Sequence, residues 1–560
     1  MSIVDISVIG VFTLLVLICG MSFSKAGKNM TSFYAAGGAL PWWMSGLSLF
    51  MSFFSSGTFV TWGSIAYSQG FVAITIQWTM AISGILVGLY IAPRWNRTKA
   101  LTASQYIRDR LGAPVQKTYT YILLLIGSFS TGAFLYPVAK IVEVSTGIPL
   151  PLSVFILGSV IMAYTAVGGL WAVIVTDILQ FVVLTAAVII VLPLALNAIG
   201  GFEEFVARAP EDFFEPVSGE YSWVFIVVFG LYNLFFIAGN WPYVQRYTSV
   251  ATPDDARKVG LLFGALYFVS PMIWMLPPMI YRVLNPDLNG LENEGAYLLI
   301  CKEILPVGML GLMLGAMVFA TSSSVNTAIN LFSGVIANDI YKNIRPHASE
   351  RSLVRVGRVA TVALGMVTIG VALLIPYMGG IVSFVFTVAA MTGGALFLPP
   401  VWALFSKYQK GGVLLSVSLM TLAVNGFLKF VAPPVWGLSL DRETETIVGV
   451  GLPVVLLAVS EIYARVIRSD TSQYRIYKEI EKARTEAESE VSQEVHSQDN
   501  RWGNMVVSLG VAATGCIMLA LSLIANESRT LVASIGGAIL LVGAWGGYRA
   551  QAGKPRSTDR

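Results

Sequence analysis

Long apolar runs alternate with short polar segments along most of the chain. Each run has roughly the 20 residues that a helix needs to cross the hydrocarbon core of a bilayer. The runs lack the regular polar and apolar alternation of membrane-spanning strands. The pattern therefore predicts an all-α polytopic membrane protein with about fifteen spans. The predicted spans are 4–22, 41–70, 72–94, 118–142, 151–168, 172–199, 222–246, 259–286, 305–338, 356–378, 380–406, 411–432, 446–467, 503–525 and 530–549.

Two of the runs are longer than one crossing requires and contain residues that interrupt a helix. The run 41–70 has Ser-Ser-Gly in its middle, and the run 222–249 carries Gly239, Asn240 and Pro242. Proline removes a backbone hydrogen-bond donor, and glycine weakens a helix. Unwound backbone at membrane depth is tolerated only against protein or a wet cavity. The two breaks lie five spans apart, a spacing typical of membrane proteins built from inverted repeats around a midplane site.

Composition and charge agree with this assignment. The 560 residues are 55% hydrophobic and only 12% charged, whereas a soluble domain has about 25% charged residues. Most of the 36 Lys and Arg residues, Arg246 among them, fall in or beside the loops that follow odd-numbered spans. Because cytoplasmic loops carry an excess of Lys and Arg, we expect an N-terminus outside the cell and a cytoplasmic C-terminus.

The residue types needed for several kinds of chemistry are scarce. The three cysteines lie in or beside apolar runs without metal-binding spacing, and the two histidines, His347 and His496, lie in charged loops. This distribution argues against a disulfide framework, a zinc site or imidazole catalysis within the membrane. No nucleic-acid-binding motif and no catalytic motif is found in the sequence, so we expect neither a nucleic-acid partner nor an enzyme.

The stretch MVFATSSSVNTAINL, residues 317–331, places several polar side chains inside an apolar run. At 100° per residue most of them share one face of a helix. The residues on that face are Ala320, Ser323, Ser324, Asn326, Thr327 and Asn330. Thr321 and Ser322 point away, and we expect them to be packing residues.

The shared face of this stretch has two interpretations. Its spacing lets two hydroxyls and a backbone carbonyl converge on one point, and a hard cation such as sodium prefers oxygen ligands of this kind. Alternatively, small polar residues let membrane helices approach closely and form hydrogen bonds with each other. The spacing alone does not decide between these interpretations.

After the thirteenth span the chain becomes highly charged over residues 469–502, with Glu, Lys and Arg at helical spacing. Charge runs of this kind are usually solvated. We therefore expect a solvated helical linker, with a partner-binding element as the alternative. Two further apolar helices follow it.

Three separated motifs resemble the sodium:solute symporter family. They are FYAAGGALPWWMSGLSLFMSFFSSGTFVTWGSIAY near the first break, VGGLWAVIVTDILQF in the fifth core helix and ATSSSVNTAINLFSGVIANDIYK in the eighth. PYVQRY and LFSKY extend the resemblance over roughly residues 1–470. It implies the five-plus-five inverted repeat of leucine-type transporters (a LeuT-like fold).

The resemblance also implies a division of the chain. The expected parts are an extra helix and cytoplasmic loop (1–40), the transport core (41–406), two further family helices (407–468), the charged cytoplasmic linker (469–502), and a helix pair with a basic tail (503–560).

Carried over position by position, the resemblance implies sodium ligands. The main site would use backbone carbonyls of Met51, Phe54 and Ala320 and hydroxyls of Ser323 and Ser324. A second sodium site found in some relatives corresponds to Asp177 with Ser323, Asn326 and Thr327, although Asn326 stands where those relatives have a hydroxyl. Asp177 has an alternative role as a structural carboxylate near the membrane interface, where solvation makes a charge less costly.

The solute site is expected between the two breaks, with contributions from the tenth core helix. Candidate residues are Ser52, Ser55, Ser56 and Thr58 at the first break and Asn233, Asn240, Trp241 and Tyr243 at the second. Rings and amides suit a neutral hydroxylated solute, although Trp and Tyr also mark membrane interfaces. Sugar-transporting relatives carry a Glu-Gln pair after the first break, where this chain has Gly57 and Thr58.

The resemblance therefore implies a symporter in the plasma (inner) membrane that imports a small organic solute, such as a sugar or sugar derivative. Na+ would be the coupling ion. A symporter-like sensor or receptor is the alternative, and a membrane enzyme is a third class without a supporting motif.

Overall fold

The computed structural model describes residues 1–21, 40–100, 102–164, 170–489, 493–524 and 528–552. Over these ranges all regular secondary structure is helical, apart from isolated bridges between Leu40 and Val250 and between Ser218 and Tyr221. The α-helices are α1 Ile3–Met21, α2 Trp42–Met51, α3 Gly63–Gln69, α4 Val72–Leu86, α5 Ala92–Arg97, α6 Ala103–Leu111, α7 Ala113–Ser130, α8 Gly132–Thr146, α9 Leu150–Tyr164, α10 Leu170–Ile199, α11 Phe202–Arg208, α12 Trp223–Gly239, α13 Trp241–Thr248, α14 Pro253–Trp274, α15 Leu276–Leu284, α16 Ala296–Ile304, α17 Met309–Val335, α18 Lys342–Ile344, α19 Glu350–Leu374, α20 Gly380–Thr392, α21 Leu398–Phe405, α22 Gly411–Gly426, α23 Ala432–Trp436, α24 Arg442–Val466, α25 Ser472–Ser489, α26 Gln493–Ser522 and α27 Arg529–Ala552.

Short segments of tighter or wider helix join several of these elements. The π-helical segments are Thr58–Trp62, Val87–Ile91, Ile336–Tyr341, Gly393–Phe397 and Phe427–Val431, and the 3-10 segments are Gly290–Gly295 and Ile375–Met378. Such irregular turns within apolar helices are frequent at functional sites.

The described structure has fewer full-length membrane helices than the fifteen spans that the sequence predicts. In the described ranges ten helical segments are long and apolar enough to cross a membrane, or eleven when the bent pair α12 and α13 counts as one span. The other four predicted spans correspond to shorter apolar stretches in α1, α9 and α17 and to the broken run 42–69. The all-helical membrane class is confirmed, whereas the count of fifteen is approximate.

Both predicted breaks are present. The helix α2 ends at Met51, and Ser52 to Ser55 follow without helical structure before the π-helical segment begins at Thr58. The helices α12 and α13 meet at Asn240 with a bend of 56°. Each break therefore divides one membrane crossing into two half-helices.

Glycines allow very close packing between α14 and the π-helical segment Val87–Ile91 that continues α4; α4 and α14 are the helices that follow the two breaks. A Cβ atom on Gly88 would lie 2.8 Å from the backbone nitrogen of Leu261, and one on Gly260 would lie 2.5 Å from Cα of Gly88. Small residues at such contacts let helix backbones touch, which favours association of membrane helices. The half-helices α3 and α13 are therefore each followed by one member of a tightly packed helix pair.

The N-terminal helix α1 is fixed to the start of α17. Oδ1 of Asp5 accepts hydrogen bonds from the backbone N–H groups of Gly308 at 2.8 Å and Gly311 at 3.1 Å. Oδ2 accepts from the N–H and hydroxyl of Ser2. A Cβ atom at Gly311 would lie 2.3 Å from the carbonyl oxygen of Asp5. Asp5 thus caps the first turn of the helix that carries the polar stretch.

Replacement of Asp5 by leucine is expected to destabilise the protein by about 2 kcal/mol or more, because two buried N–H groups of α17 lose a charged acceptor. The midpoint of thermal unfolding in detergent measures this effect. Asp5→Asn is the matched control, since its amide oxygen can still accept hydrogen bonds and should retain much of the stability. An unchanged midpoint for Asp5→Leu would contradict the capping role.

The segment after α24 differs in part from its prediction. The charged linker is helical, as expected, in α25, but it is not solvated on all sides. The ring of Tyr477 is 4% exposed and lies edge-on to Tyr106 of α6 at 5.8 Å, and Arg484 pairs with Asp109. The aromatic residues give α25 an apolar face, which docks on the chain's own α6.

The last two helices also pack on the core. The helix α26 contacts α27 closely, because a Cβ atom at Gly515 would lie 2.6 Å from the backbone nitrogen of Leu540. On the other side of α26, a Cβ atom at Gly510 would lie 2.4 Å from the side chain of Leu179 on α10. These helices therefore pack against one of the core helices.

Candidate functional site

The first break is joined directly to the polar stretch of α17. The hydroxyl of Ser56 lies 2.7 Å from the hydroxyl of Thr321 and donates to the carbonyl oxygen of Met317 at 3.1 Å. The backbone N–H of Ser56 donates to the hydroxyl oxygen of Thr321 at 3.2 Å. Thr321 is a buried packing residue, as expected, but its hydroxyl also forms hydrogen bonds with Ser56 at the first break.

A second set of hydrogen bonds shapes the break from within. The hydroxyl of Thr58 donates to the carbonyl oxygen of Phe53 and accepts from the N–H of Ser55 at 3.2 Å. The hydroxyl of Ser52 donates to the carbonyl of Ser48, one helical turn earlier, at 3.0 Å. Side chains thus replace part of the backbone bonding that the unwound residues lose.

These contacts bring the elements that carry the predicted sodium ligands together. The hydroxyl of Ser324 donates to the carbonyl oxygen of Ala320 at 3.3 Å, so two predicted ligands are neighbours. Met51 and Phe54 are buried at the first break. The side chains of Ser323, Asn326 and Thr327 lie outside the described part of the structure. The oxygen atoms on these two elements suit a hard monovalent cation.

The second break lies against the π-helical segment that follows α20. A Cβ atom at Gly239 would lie 2.4 Å from the carbonyl oxygen of Phe397, so only glycine fits this contact. Asn240 caps α13 with its backbone carbonyl, which accepts from the N–H of Tyr243 at 3.1 Å. The second break therefore has the expected neighbour, the tenth core helix.

Several residues predicted to contact the solute are instead bonded to, or packed against, other parts of the protein. The amide of Asn233 is buried and donates to the hydroxyl of Thr79 on α4 at 2.8 Å. Trp241 packs edge-on to Trp95, with ring centroids 6.3 Å apart. Ser56 is bonded to α17. These three side chains have partners in the protein, and Thr58 is bonded to Phe53. The remaining candidates are Ser52, whose hydroxyl donates to Ser48 but can still accept a hydrogen bond, with Ser55, Asn240 and Tyr243.

Aromatic rings fill the space between the two breaks. The ring of Phe53 lies 4.5 Å from that of Tyr243 and 6.1 Å from that of Phe236, measured between centroids. Phe236 also contacts Tyr232 at 5.3 Å and Phe397 at 5.2 Å. Residues of both breaks and of the tenth core helix thus form one continuous aromatic cluster.

A buried ion pair connects the half-helices on one side of the breaks. Ser48 of α2 donates to Oδ2 of Asp177 at 2.6 Å and accepts from Nε of Arg246 at 3.0 Å. Nη2 of Arg246 lies 3.7 Å from the same carboxylate oxygen. The N–H of the buried Leu40 also donates to the carbonyl oxygen of the buried Ser249 at 3.0 Å. The half-helices α2 and α13 are therefore joined to α10 and to each other.

This arrangement corrects the interpretation of Arg246. The sequence grouped it with the exposed loop cations, whereas it lies within α13 and is 6% exposed. The helix that resumes at Trp241 extends past Arg246, but the motif PYVQRY does not show which side chains lie beside that arginine. Asp177 is 8% exposed, and its described partners are Ser48 and Arg246.

A different carboxylate fastens the opposite side. Glu294, in the segment between α15 and α16, accepts from the hydroxyl of Tyr136 at 2.5 Å and from the N–H of Ile381 at 2.8 Å. The preceding Gly380 has φ of +85°, and a Cβ atom there would lie 2.5 Å from Oε1 of Glu294. The start of α20 is thus held against α8 through this loop.

Gln77 is a polar residue that the sequence reasoning did not single out. It lies in α4, is 1% exposed, and its amide nitrogen has no hydrogen-bond partner among the described residues. A buried donor without an acceptor is costly, so such a group usually bonds to a water or a ligand. In the sequence, the only indication of such a group is a single glutamine within an apolar helix.

The chain is similar to one protein family and to several known proteins. The model of the sodium:solute symporter family matches residues 33–418. Solute carrier family 5 member 4B of Mus musculus is 26% identical over 490 residues, which cover 77% of this chain and 73% of that protein. Sodium/glucose cotransporter 4 of Danio rerio is 31% identical over 417 residues, which cover 66% of this chain and 63% of that protein.

A solved structure supports the fold assignment. A Na+-coupled sialic acid symporter in an outward-open state superimposes with a TM-score of 0.66 at 20% identity, covering 82% of this chain and 98% of that one. At this identity the likeness shows the fold, and the LeuT-like prediction is confirmed. Since the family model spans most of the chain, this protein belongs to the sodium:solute symporter family.

Proposed function

We propose that the protein is a sodium-coupled symporter that imports a small hydroxylated solute, a sugar or a sugar derivative, by alternating access. The observation that carries this proposal is the junction of Ser56 with Met317 and Thr321, which joins the first break to the polar stretch of α17. An ion bound beside that junction would hold the half-helix at the first break, which can move, against the continuous helix α17.

Sodium would be held by the oxygens of two elements. The carbonyl of Ala320 and the hydroxyl of Ser324 are adjacent on α17, and carbonyls of Met51 and Phe54 would complete the site with Ser323. A sodium ion moving inward gains about 2.3 kcal/mol per 100 mV of membrane potential. Coupling follows if sodium and solute both favour the same arrangement of the breaks, because the linkage is reciprocal.

The chemistry around the breaks supports a hydroxylated solute. Aromatic faces of Phe53 and Tyr243 offer stacking surfaces, while the hydroxyls of Ser52 and Ser55 offer hydrogen bonds. We assign the amide of Gln77 on α4 to the same solute, because a buried donor without a protein partner favours a bound ligand. Two of the similar proteins are a sodium/glucose cotransporter and a Na+-coupled sialic acid symporter. A sugar, polyol or sugar acid is therefore the solute class that we propose.

Alternating access needs a closure on each side of the site. We place the pair of Asp177 and Arg246 at the cytoplasmic closure, where it joins α2, α10 and α13. Glu294 would close the outer side by holding the start of α20. We further propose a plasma (inner) membrane location with the N-terminus outside, on the basis of the loop charges.

Solute counterflow in proteoliposomes separates this proposal from a sensor. Vesicles preloaded with unlabelled glucose, a polyol mixture or sialic acid should accumulate the labelled solute when sodium is present on both sides and not when choline replaces it. A sensor would bind the solute without exchanging it. Absence of counterflow for every solute that raises the thermal midpoint in sodium would contradict the transport proposal.

Replacement of Gln77 by leucine is expected to reduce solute affinity about tenfold or more while leaving the solute-free protein at least as stable as the wild type. A buried amide without a partner costs about 1–3 kcal/mol, which leucine removes together with the bond to solute. Thermal midpoints with and without solute measure both effects. Thr79→Val is the matched control, because it removes a bonded polar group from the same helix and should destabilise. A Gln77→Leu protein with wild-type solute affinity would contradict this role.

A further inference from the structure

A small polar cavity of about 240 Å³ lies where the docked linker meets the core. Its walls come from α6, from the loop after α21 and from the start of α25. The lining residues are Arg110, Lys407, Gln409, Lys410, Asp470, Ser472, Gln473 and Tyr474. Three cationic side chains thus face one carboxylate in a space large enough for a phosphate group with several waters.

Arg110 lines the cavity and forms no ion pair among the described residues, and its guanidinium lies 5.1 Å from the ring centroid of Tyr474. Arg110 is 1% exposed, and Nη2 donates to the carbonyl oxygen of Ser406 at 2.6 Å. Its Nε has no hydrogen-bond partner among the described residues. The neighbouring Asp109 pairs with Arg108 and Arg484 instead. Burial lowers the pKa of Arg110 more than the nearby carboxylate of Glu461 raises it. An anion in this cavity would therefore supply the compensating charge that the chain provides only in part.

The other charges in the cavity leave a positive excess. Lys407 and Lys410 are exposed and have no ion pair within the described ranges. Asp470 is occupied at the start of α25, where it accepts from the N–H of Ser472 at 2.9 Å and from its hydroxyl at 2.6 Å. These hydrogen bonds, with a smaller contribution from Lys410, lower the pKa of Asp470. The carboxylate therefore neutralises only part of the charge of the two lysines and Arg110.

We propose that this cavity binds a phosphate group, carried either by a soluble phosphomonoester or by the headgroup of an anionic phospholipid. A guanidinium with free N–H donors and two ammonium groups is the set of donors that phosphate recognition uses. The site is separate from the transport site and does not depend on the transport activity. Because its walls belong to three distant parts of the chain, an occupied site fastens the linker helix α25 to the core.

Direct binding tests the site in the full-length protein in phosphatidylcholine nanodiscs. Equilibrium dialysis with radiolabelled inorganic phosphate should give saturable binding of about one phosphate per chain. The double variant Lys407→Gln/Lys410→Gln should bind at least tenfold more weakly. Lys482→Gln is the matched control, because this lysine is 79% exposed on the same linker helix and away from the cavity. It should bind phosphate like the wild type.

Nanodiscs of a second composition distinguish the two sources of phosphate. If a lipid headgroup is the occupant, phosphatidylglycerol should raise the thermal midpoint of the wild type and of Lys482→Gln and should block inorganic phosphate. If the ligand is soluble, inorganic phosphate should raise the midpoint in either membrane. Lys407→Arg/Lys410→Arg retains the charge and should retain binding in both cases.

Two results would overturn the proposal. One is a wild-type protein that neither binds inorganic phosphate saturably nor gains stability from phosphatidylglycerol. The other is a Lys407→Gln/Lys410→Gln variant whose phosphate affinity and lipid response equal those of the wild type. The first result needs no variant, so the proposal is testable even if the glutamine variant folds poorly.

Discussion

Replacement of Arg246 by alanine is expected to reduce sodium-driven solute uptake about a hundredfold or more. Asp177 would remain buried with Ser48 as its described partner, and loss of one member of a buried ion pair costs about 3–5 kcal/mol. At 1.4 kcal/mol per tenfold change, this cost shifts the balance away from the closed cytoplasmic side by two decades or more. Initial uptake rates in proteoliposomes measure the loss.

The same variant should open the cytoplasmic side to reagents. A single cysteine at Ser52, in a background without the three native cysteines, should react faster with a membrane-impermeant thiol reagent added from that side when Arg246 is alanine. Arg257→Ala is the matched control, since this arginine is exposed at the start of α14 and pairs with Asp254 at 3.3 Å. It should leave both uptake and reactivity unchanged.

A double replacement separates the ion pair from general damage. Asp177→Leu/Arg246→Met removes both charges, and well-packed apolar residues often replace a buried pair without loss of stability. The double variant should therefore be more stable and more closed than either Arg246→Ala or Asp177→Ala. Single variants whose effects simply add in the double variant would show that the two side chains do not act as a pair.

Replacement of Ser324 by alanine is expected to lower the apparent sodium affinity about tenfold or more, because an oxygen that contacts a charged group contributes about 1.5–3 kcal/mol. Ser323→Ala should have a similar effect, and the two changes together should abolish sodium-dependent uptake. The sodium concentration that gives half-maximal uptake at a fixed solute concentration measures the loss.

Ser322→Ala provides the control for these two variants. Ser322 is a buried neighbour that the helical projection places outside the shared face, so its loss should leave sodium affinity unchanged while membrane insertion remains intact in all three proteins. Sodium-dependent uptake that survives Ser323→Ala/Ser324→Ala would contradict the assignment of the ion site to α17.

Local sequence signals predicted the breaks of the fold well. Gly239 and Pro242 interrupt an apolar helix through their own backbone chemistry, and the bend at Asn240 follows from them. The helical period likewise predicted that Ala320 and Ser324 would be adjacent. These features depend on residues within one or two turns, so no tertiary information was needed.

Features that depend on distant contacts were not predictable in this way. Thr321 binds Ser56, although nothing along α17 shows that the first break approaches on that side. Arg246 follows a proline and precedes a loop, so its burial becomes evident only once Ser48 and Asp177 are placed beside it.

The burial of one face of the charged linker also depends on distant contacts. Its charge pattern predicts a solvated helix, but Tyr474 and Tyr477 at i and i+3 form an apolar edge that covers α6. Whether such an edge is buried depends on a partner surface more than 360 positions earlier in the chain.

Gradient-driven uptake by proteoliposomes is the decisive measurement of sodium coupling. Proteoliposomes containing the purified protein are given an inward sodium gradient, with labelled solute chosen from the sugars, polyols and sugar acids that raise the thermal midpoint in sodium. The internal solute concentration should rise transiently above the external one and then fall as the gradient dissipates, and an inside-negative potential should enhance it. The same uptake with choline in place of sodium, or uptake that never exceeds equilibrium, would contradict sodium-coupled symport.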